Sequence, residues 1–86
     1  MFRSKIIVTL RKSILDPQGK AVEHGIHSLG YGTAHNVRIG KVIEMDIDVA
    51  DQEEAKRVTE EVCKKLLANP VMEDFTFAIE RVDPVR

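Results

Sequence analysis

With 86 residues, the chain has room for one domain, spanning positions 1–86, and a domain this short buries only about 60–65% of the surface its unfolded chain exposes. Thirteen basic and fourteen acidic residues give a formal net charge of −1, so there is no basic field for nucleic acid and no attraction to an anionic membrane. No apolar run approaches the roughly 18 residues that span a bilayer, the single Cys63 cannot close an internal disulfide, and Met1 leads straight into strand-like residues without a signal-like segment. The expectation is a cytoplasmic domain that interacts with neither nucleic acid nor membrane.

In chain order, Arg3 to Arg11 is rich in β-branched residues and lacks Gly and Pro, which predicts a strand. Ile6, Val8 and Leu10 point to one face, with Lys5, Ile7, Thr9 and Arg11 on the other. Asp16-Pro17 predicts a helix start, because the Asp carboxylate accepts from free backbone N–H groups and Pro suits the first helical position. Val22, Ile26 and Leu29 then make one helical stripe. Gly19 and Gly25 lie inside this helix, where each costs about 1 kcal/mol against Ala unless another backbone approaches closely. Gly30-Tyr31-Gly32 ends it.

A second β region is expected over residues 34–49: a short strand at Val37 and Ile39, a turn at Gly40-Lys41, and a longer strand from Val42 to Val49. One long strand bent at Gly40 is the alternative. Ile43, Met45, Ile47 and Val49 alternate with Glu44, Asp46 and Asp48, the pattern of a half-buried strand. Asp51 and Glu54 imitate a capping box ahead of a helix whose buried stripe is expected to be Ala55, Val58, Val62 and Leu66, flanked by Cys63 and Leu67. Glu53/Arg57, Glu60/Lys64 and Glu61/Lys65 are acid-first pairs on its exposed side, and Asn69-Pro70 stops it. A last strand places Phe75, Phe77 and Ile79 on one face.

The order is β-α-β-β-α-β: a two-layer α+β domain of ferredoxin-like type, with two helices on one face of an antiparallel sheet. The opposite face carries Ile7, Thr9, Thr76, Ala78 and Val82, apolar enough to predict dimerisation through the sheet.

No set of residues composes an active site. His24 and His27 lie opposite the Val22/Ile26/Leu29 stripe, His35 follows the turn, and with no carboxylate or Cys assigned to them solvated histidines are the expectation and no metal site. Cys63 borders a buried face, as a packed thiol does. The row Glu44, Asp46, Asp48 reads as a solvated strand face. Neither a catalytic residue nor a bound cofactor is expected.

Three segments are more informative taken together: Leu15-Asp16-Pro17-Gln18-Gly19, Val37-Arg38-Ile39-Gly40-Lys41, and Leu66-Leu67-Ala68-Asn69-Pro70-Val71-Met72-Glu73. Singly they are a helix start, a turn and a helix stop. In this order, and from Lys5-Ile6-Ile7-Val8-Thr9-Leu10 through Glu73-Asp74-Phe75, they resemble the PurS-type family over essentially the whole chain. The resemblance implies the small, non-catalytic subunit of phosphoribosylformylglycinamidine synthase in purine biosynthesis. The same resemblance implies a homodimer or a tetramer, bridging a glutaminase subunit and a large synthetase subunit that holds ATP and Mg²⁺, and assisting ammonia transfer. Asp16, Gln18, Arg38, Lys41, Asn69 and Glu73 are then candidate partner contacts, with Pro17, Gly19, Gly40 and Pro70 as structural positions; capping or solvation is the competing account of the six charged and polar ones. Two other readings share the architecture. An amino-acid-binding regulatory domain of ACT type stays open, whereas an RRM-type RNA module is disfavoured because Glu44, Asp46 and Asp48 stand where stacking rings are needed.

Overall fold

The computed structural model describes residues 1–82; the tail Asp83-Pro84-Val85-Arg86 lies outside the described residues. Three strands, β1 (Phe2–Leu10), β2 (Gly40–Ile47) and β3 (Glu73–Arg81), form an antiparallel sheet in the order β2-β1-β3. Helix α1 (Pro17–Ser28) joins β1 to β2, and helix α2 (Gln52–Val62) joins β2 to β3, continuing as a π-helical turn over Cys63–Leu67. This is the two-layer α+β architecture expected, with β1 at its centre.

The register explains which side of the sheet is buried. Ile6 lies between Ile43 and Phe77, and Ser4 between Met45 and Ile79. Ile6, Val8, Cys63 and Ala68 form the core against α2 and the π turn, with Ile43, Met45, Leu67, Phe75 and Phe77 packed around them. One polar pair sits inside it. Thr59 donates its hydroxyl hydrogen to the Ala55 carbonyl at 2.8 Å, so the Ser4 hydroxyl, 2.5 Å away, donates to Thr59 Oγ1. Both residues are fully buried, and this bond fixes the height of α2 over β1. Burial, with Glu60 adding to it, pushes the Cys63 thiol up, which agrees with a packed core thiol.

Four local expectations change. Val37 and Ile39 do not form a strand: the Val37 amide donates to Glu23 Oε1 at 3.0 Å and the Ile39 amide to Asp16 Oδ2 at 2.8 Å, so helix α1 supplies acceptors a sheet would otherwise provide. Gly40-Lys41 is therefore no turn; it forms the first rungs of β2, opposite Thr9 and Val8. The buried stripe of α2 runs through Ala55, Thr59 and Cys63, and Leu66 is 78% exposed, because the π turn adds a residue and rotates it outward. On the outer side of α2, Arg57 bonds Glu54 at 2.8 Å and Glu61 at 3.3 Å, so only Glu60/Lys64 of the three expected pairs forms among the described residues.

Helix α1 departs furthest. Gly19 is its only buried residue, while Val22 is 43% and Leu29 76% exposed, so among the described residues only Ile26 of the expected stripe is half-buried. Of its two interior glycines, Gly19 has the close backbone neighbour, since a Cβ there would collide with the Val37 carbonyl oxygen, whereas Gly25 has nothing within 4 Å. Gly30, at φ +99°, terminates the helix in the left-handed region.

Candidate functional site at one end of the sheet

The three informative segments converge where β1 ends and β2 and β3 begin. Asp16 is the hub. As the N-cap of α1 it accepts from the Gly19 amide at 2.9 Å through Oδ1, while Oδ2 takes the Ile39 amide. The bond from Ile39, then that from Gly19, with the nearby Arg38 charge adding, holds its carboxyl below the usual range. The side chain is almost wholly buried and every buried polar atom among the described residues is satisfied.

Arg38 closes the same loop from the other side. Its guanidinium donates to the carbonyls of Leu10 at 3.0 Å, Arg11 at 2.9 Å and Ile14 at 3.3 Å, three acceptors in a fork that a flexible ammonium would not match. Arg38 is thus a clamp on the β1–α1 connection as well as an exposed cation.

Lys41 reaches across β1 toward β3. Its Nζ lies 3.4 Å from the Leu67 carbonyl and 3.8 Å from Glu73 Oε2. Glu73 Oε1 accepts the Asn69 amide at 2.7 Å, and Asn69 Oδ1 accepts the Val71 amide at 2.9 Å, so the Asn69-Pro70 stop is a built turn. Gly40 is required here because a Cβ would stand 2.6 Å from the Val8 carbonyl oxygen. Pro17 opens α1 directly after Asp16.

Asp16, Gln18, Lys41 and Glu73 line one cleft of about 290 Å³ with Val8, Leu10, Ile39 and Gly40. Arg38 and Asn69 stand outside that lining and are tied to it through the loops they hold. The sequence reading missed Arg11. Its backbone amide donates to the Met72 carbonyl at 2.9 Å, its side chain to the Pro70 carbonyl at 2.7 Å, and it pairs with Asp74 at 3.4 Å. The only local sign of this role is a cation at the end of an apolar strand. The arrangement offers alternating cations and carboxylates around a shallow cleft, a surface suited to recognising another protein's charges.

A family model described as PurS, phosphoribosylformylglycinamidine (FGAM) synthase, matches residues 3–81. The chain belongs to the PurS family. The phosphoribosylformylglycinamidine synthase subunit PurS of Bacillus subtilis is 44% identical over 82 residues, covering 95% of this chain and 96% of that protein. The structure of B. subtilis PurS superimposes with a TM-score of 0.84 at 43% identity, covering 94% of this chain and 100% of that one. PurS of Methanocaldococcus jannaschii, described as one of the subunits of formylglycinamide ribonucleotide amidotransferase in the purine biosynthetic pathway, gives 0.86 at 32% identity, covering 96% and 100%. A chain in the structure of PurLQS from Thermotoga maritima gives 0.83 at 25% identity, covering 93% and 99%. Family resemblance, fold class and the FGAM synthase assignment of the relatives therefore agree with the sequence reading. No helix among the described residues is long and apolar enough to cross a membrane.

Proposed function

We propose that this chain is the small, non-catalytic subunit of a cytoplasmic FGAM synthase, joining a glutaminase subunit to a large ATP- and Mg²⁺-dependent synthetase subunit as a homodimer and assisting ammonia transfer. The observation that carries the reading is the match to PurS over residues 3–81, with the three segments behind it gathered at one end of the sheet. Near neutral pH ammonia is mostly ammonium, which is not a nucleophile, so an enclosed path between two active sites keeps it reactive. Holding those sites in register needs no catalytic side chain from the subunit that does it. Gln18, Arg38, Lys41, Asn69 and Glu73 are assigned to the partner-facing surface, and buried Asp16 to holding the loops that present them.

Self-association is supported by the shape of the single chain. Its radius of gyration is 16.6 Å, with extents of 50 × 31 × 17 Å, against about 12 Å for a compact domain of this length. Ile7, Val42, Leu29 and Tyr31 are all exposed, and β2 and β3 are both open sheet edges. The dimer is assigned to the open sheet face.

The deciding experiment supplies glutamine, ATP, Mg²⁺ and formylglycinamide ribonucleotide to purified large and glutaminase subunits, with and without this chain. Glutamine-dependent amidine formation is expected to require the chain, while high ammonium chloride bypasses it. Unchanged turnover and unchanged complex size on addition of the chain would overturn the proposal.

A further inference from the structure

Glu23 and His27 stand one turn apart on α1, and His35 is carried back over them by the loop that follows. Asn36, at φ +58°, turns the chain in the left-handed conformation that Asn tolerates better than most residues. That turn delivers the Val37 amide to Glu23 Oε1 and sets the His35 ring 5.8 Å from the His27 ring, edge to face at 71°. One ligand-capable atom from each of Glu23, His27 and His35 lies within 4.8 Å of the other two. We infer that these three side chains form a binding site for a zinc-type divalent cation, with two imidazole nitrogens and one carboxylate oxygen as ligands.

The protonation pattern already suits a metal. A carbonyl oxygen can only accept, so His27 Nε2, 2.6 Å from the Ala34 carbonyl, carries the ring hydrogen and donates it. In the neutral ring Nδ1 then keeps its lone pair, and a donated second nitrogen is how ligating histidines are oriented in metal sites. Glu23 uses Oε1 to accept the Val37 amide, and its second oxygen is not needed by that bond. Around a tetrahedral zinc with bonds of about 2.0–2.1 Å, donor atoms sit about 3.3 Å apart, so the widest separation closes by no more than about 1.5 Å. Rotation of the flexible Glu23 side chain and of His35 on its loop covers that distance. Two nitrogen donors select zinc, copper, nickel or cobalt over calcium or magnesium.

The carboxylate missing from the sequence reading of the histidines is Glu23, which the fold turns toward them. The site would also act on the least supported part of the molecule, clasping α1 to residues 34–37 where α1 otherwise buries only Gly19. It lies apart from the Lys41–Glu73 cluster and stands whether or not the chain bridges two subunits.

The test titrates the untagged full chain with zinc chloride by calorimetry in a non-chelating buffer, alongside thermal melts with zinc and with EDTA. One ion per chain and a zinc-dependent rise in Tm are expected. His35→Ala, at an exposed position, and Glu23→Gln should each weaken binding at least tenfold, while His24→Ala, on the same helix but outside the cluster, should leave it unchanged. Circular dichroism confirms that each variant is folded, and Co²⁺ absorption of the wild type reports nitrogen–oxygen ligation directly. Absence of binding by the wild type, retention of full affinity in His35→Ala, or equal loss in His24→Ala would overturn the site, the last two by showing scattered surface histidines only.

Discussion

The two helices sit on the same chain and are held by different physics. Helix α2 is fixed by packing: Ala55, Thr59 and Cys63 are fully buried against β1, and the Ser4–Thr59 hydroxyl bond locks the contact. Helix α1 is fixed by carboxylates, with Asp16 and Glu23 binding the amides of Ile39 and Val37, and its apolar side chains face outward. The α2 side carries the core, whereas the α1 side is an arm whose Val22 and Leu29 stay exposed among the described residues. Exposed Val22 and Leu29 therefore belong to an account of assembly rather than of folding.

The sharpest way to break this comparison is to cut the core beneath α2. Ile6 is fully buried, and Ile6→Ala should cost about 2–5 kcal/mol by urea denaturation, from lost transfer energy and the cavity left behind. Ile7, its neighbour on the open face, is 45% exposed, and Ile7→Ala should cost no more than about 1 kcal/mol. Equal losses would mean that the open face contributes to the fold as much as the core does.

The next effect lies in α1 and changes sign along one helix. Gly19→Ala drives a Cβ into the Val37 carbonyl oxygen and should destabilise by roughly 1–3 kcal/mol, since neither backbone can move without breaking the Asp16 bonds. Gly25→Ala meets nothing within 4 Å and should stabilise by about 0.4–1 kcal/mol through helix propensity and a less disordered unfolded chain. Thermal melts of the two variants read both effects; a loss at Gly25 as large as that at Gly19 would remove the close backbone approach as their cause.

Much of the sheet was legible because alternation is a local signal: β1 emerges within a residue of its expected bounds, and Phe75, Phe77 and Ile79 share a face of β3. The helix starts were legible for the same reason, since Asp16 and Asp51 cap within their own first turns. What the sequence hides are bonds between distant residues. Val37 and Ile39 look like strand residues, but their amides are taken by carboxylates 14 and 23 residues away. Leu66 looks buried by helical spacing until a π turn shifts the phase. The candidate site was legible as three segments but not as one cluster, because Arg38 and Glu73 act through backbone groups that carry no side-chain signature.

Lowering the pH should act on the arm before the core. The Asp16 and Glu23 carboxyls both sit below their unfolded values, so the stability they contribute is complete above the ordinary carboxylate range. It is lost as pH falls through that range, from about 5 downward. Native-state hydrogen exchange should therefore show the Val37 and Ile39 amides opening at acid pH while those of β1 remain protected. Asp16→Asn should flatten the acid dependence. Simultaneous opening of both regions would show that α1 and the sheet are one cooperative unit.

The smallest effect on the fold is expected from Leu29→Lys, and it is the one that separates folding from assembly. Leu29 is 76% exposed at the C-terminal end of α1, where a cation also complements the helix dipole. The urea midpoint measured at low concentration should move by no more than about 0.5 kcal/mol equivalent. If the arm is covered by a second copy or by a partner subunit, burying an ammonium there is costly, so sedimentation velocity should show weaker self-association or weaker recruitment into the synthase complex. Wild-type assembly by Leu29→Lys would confine the contact to the open sheet face, where Val42→Lys, in the row with Ile7 and Thr76, should dissociate the dimer.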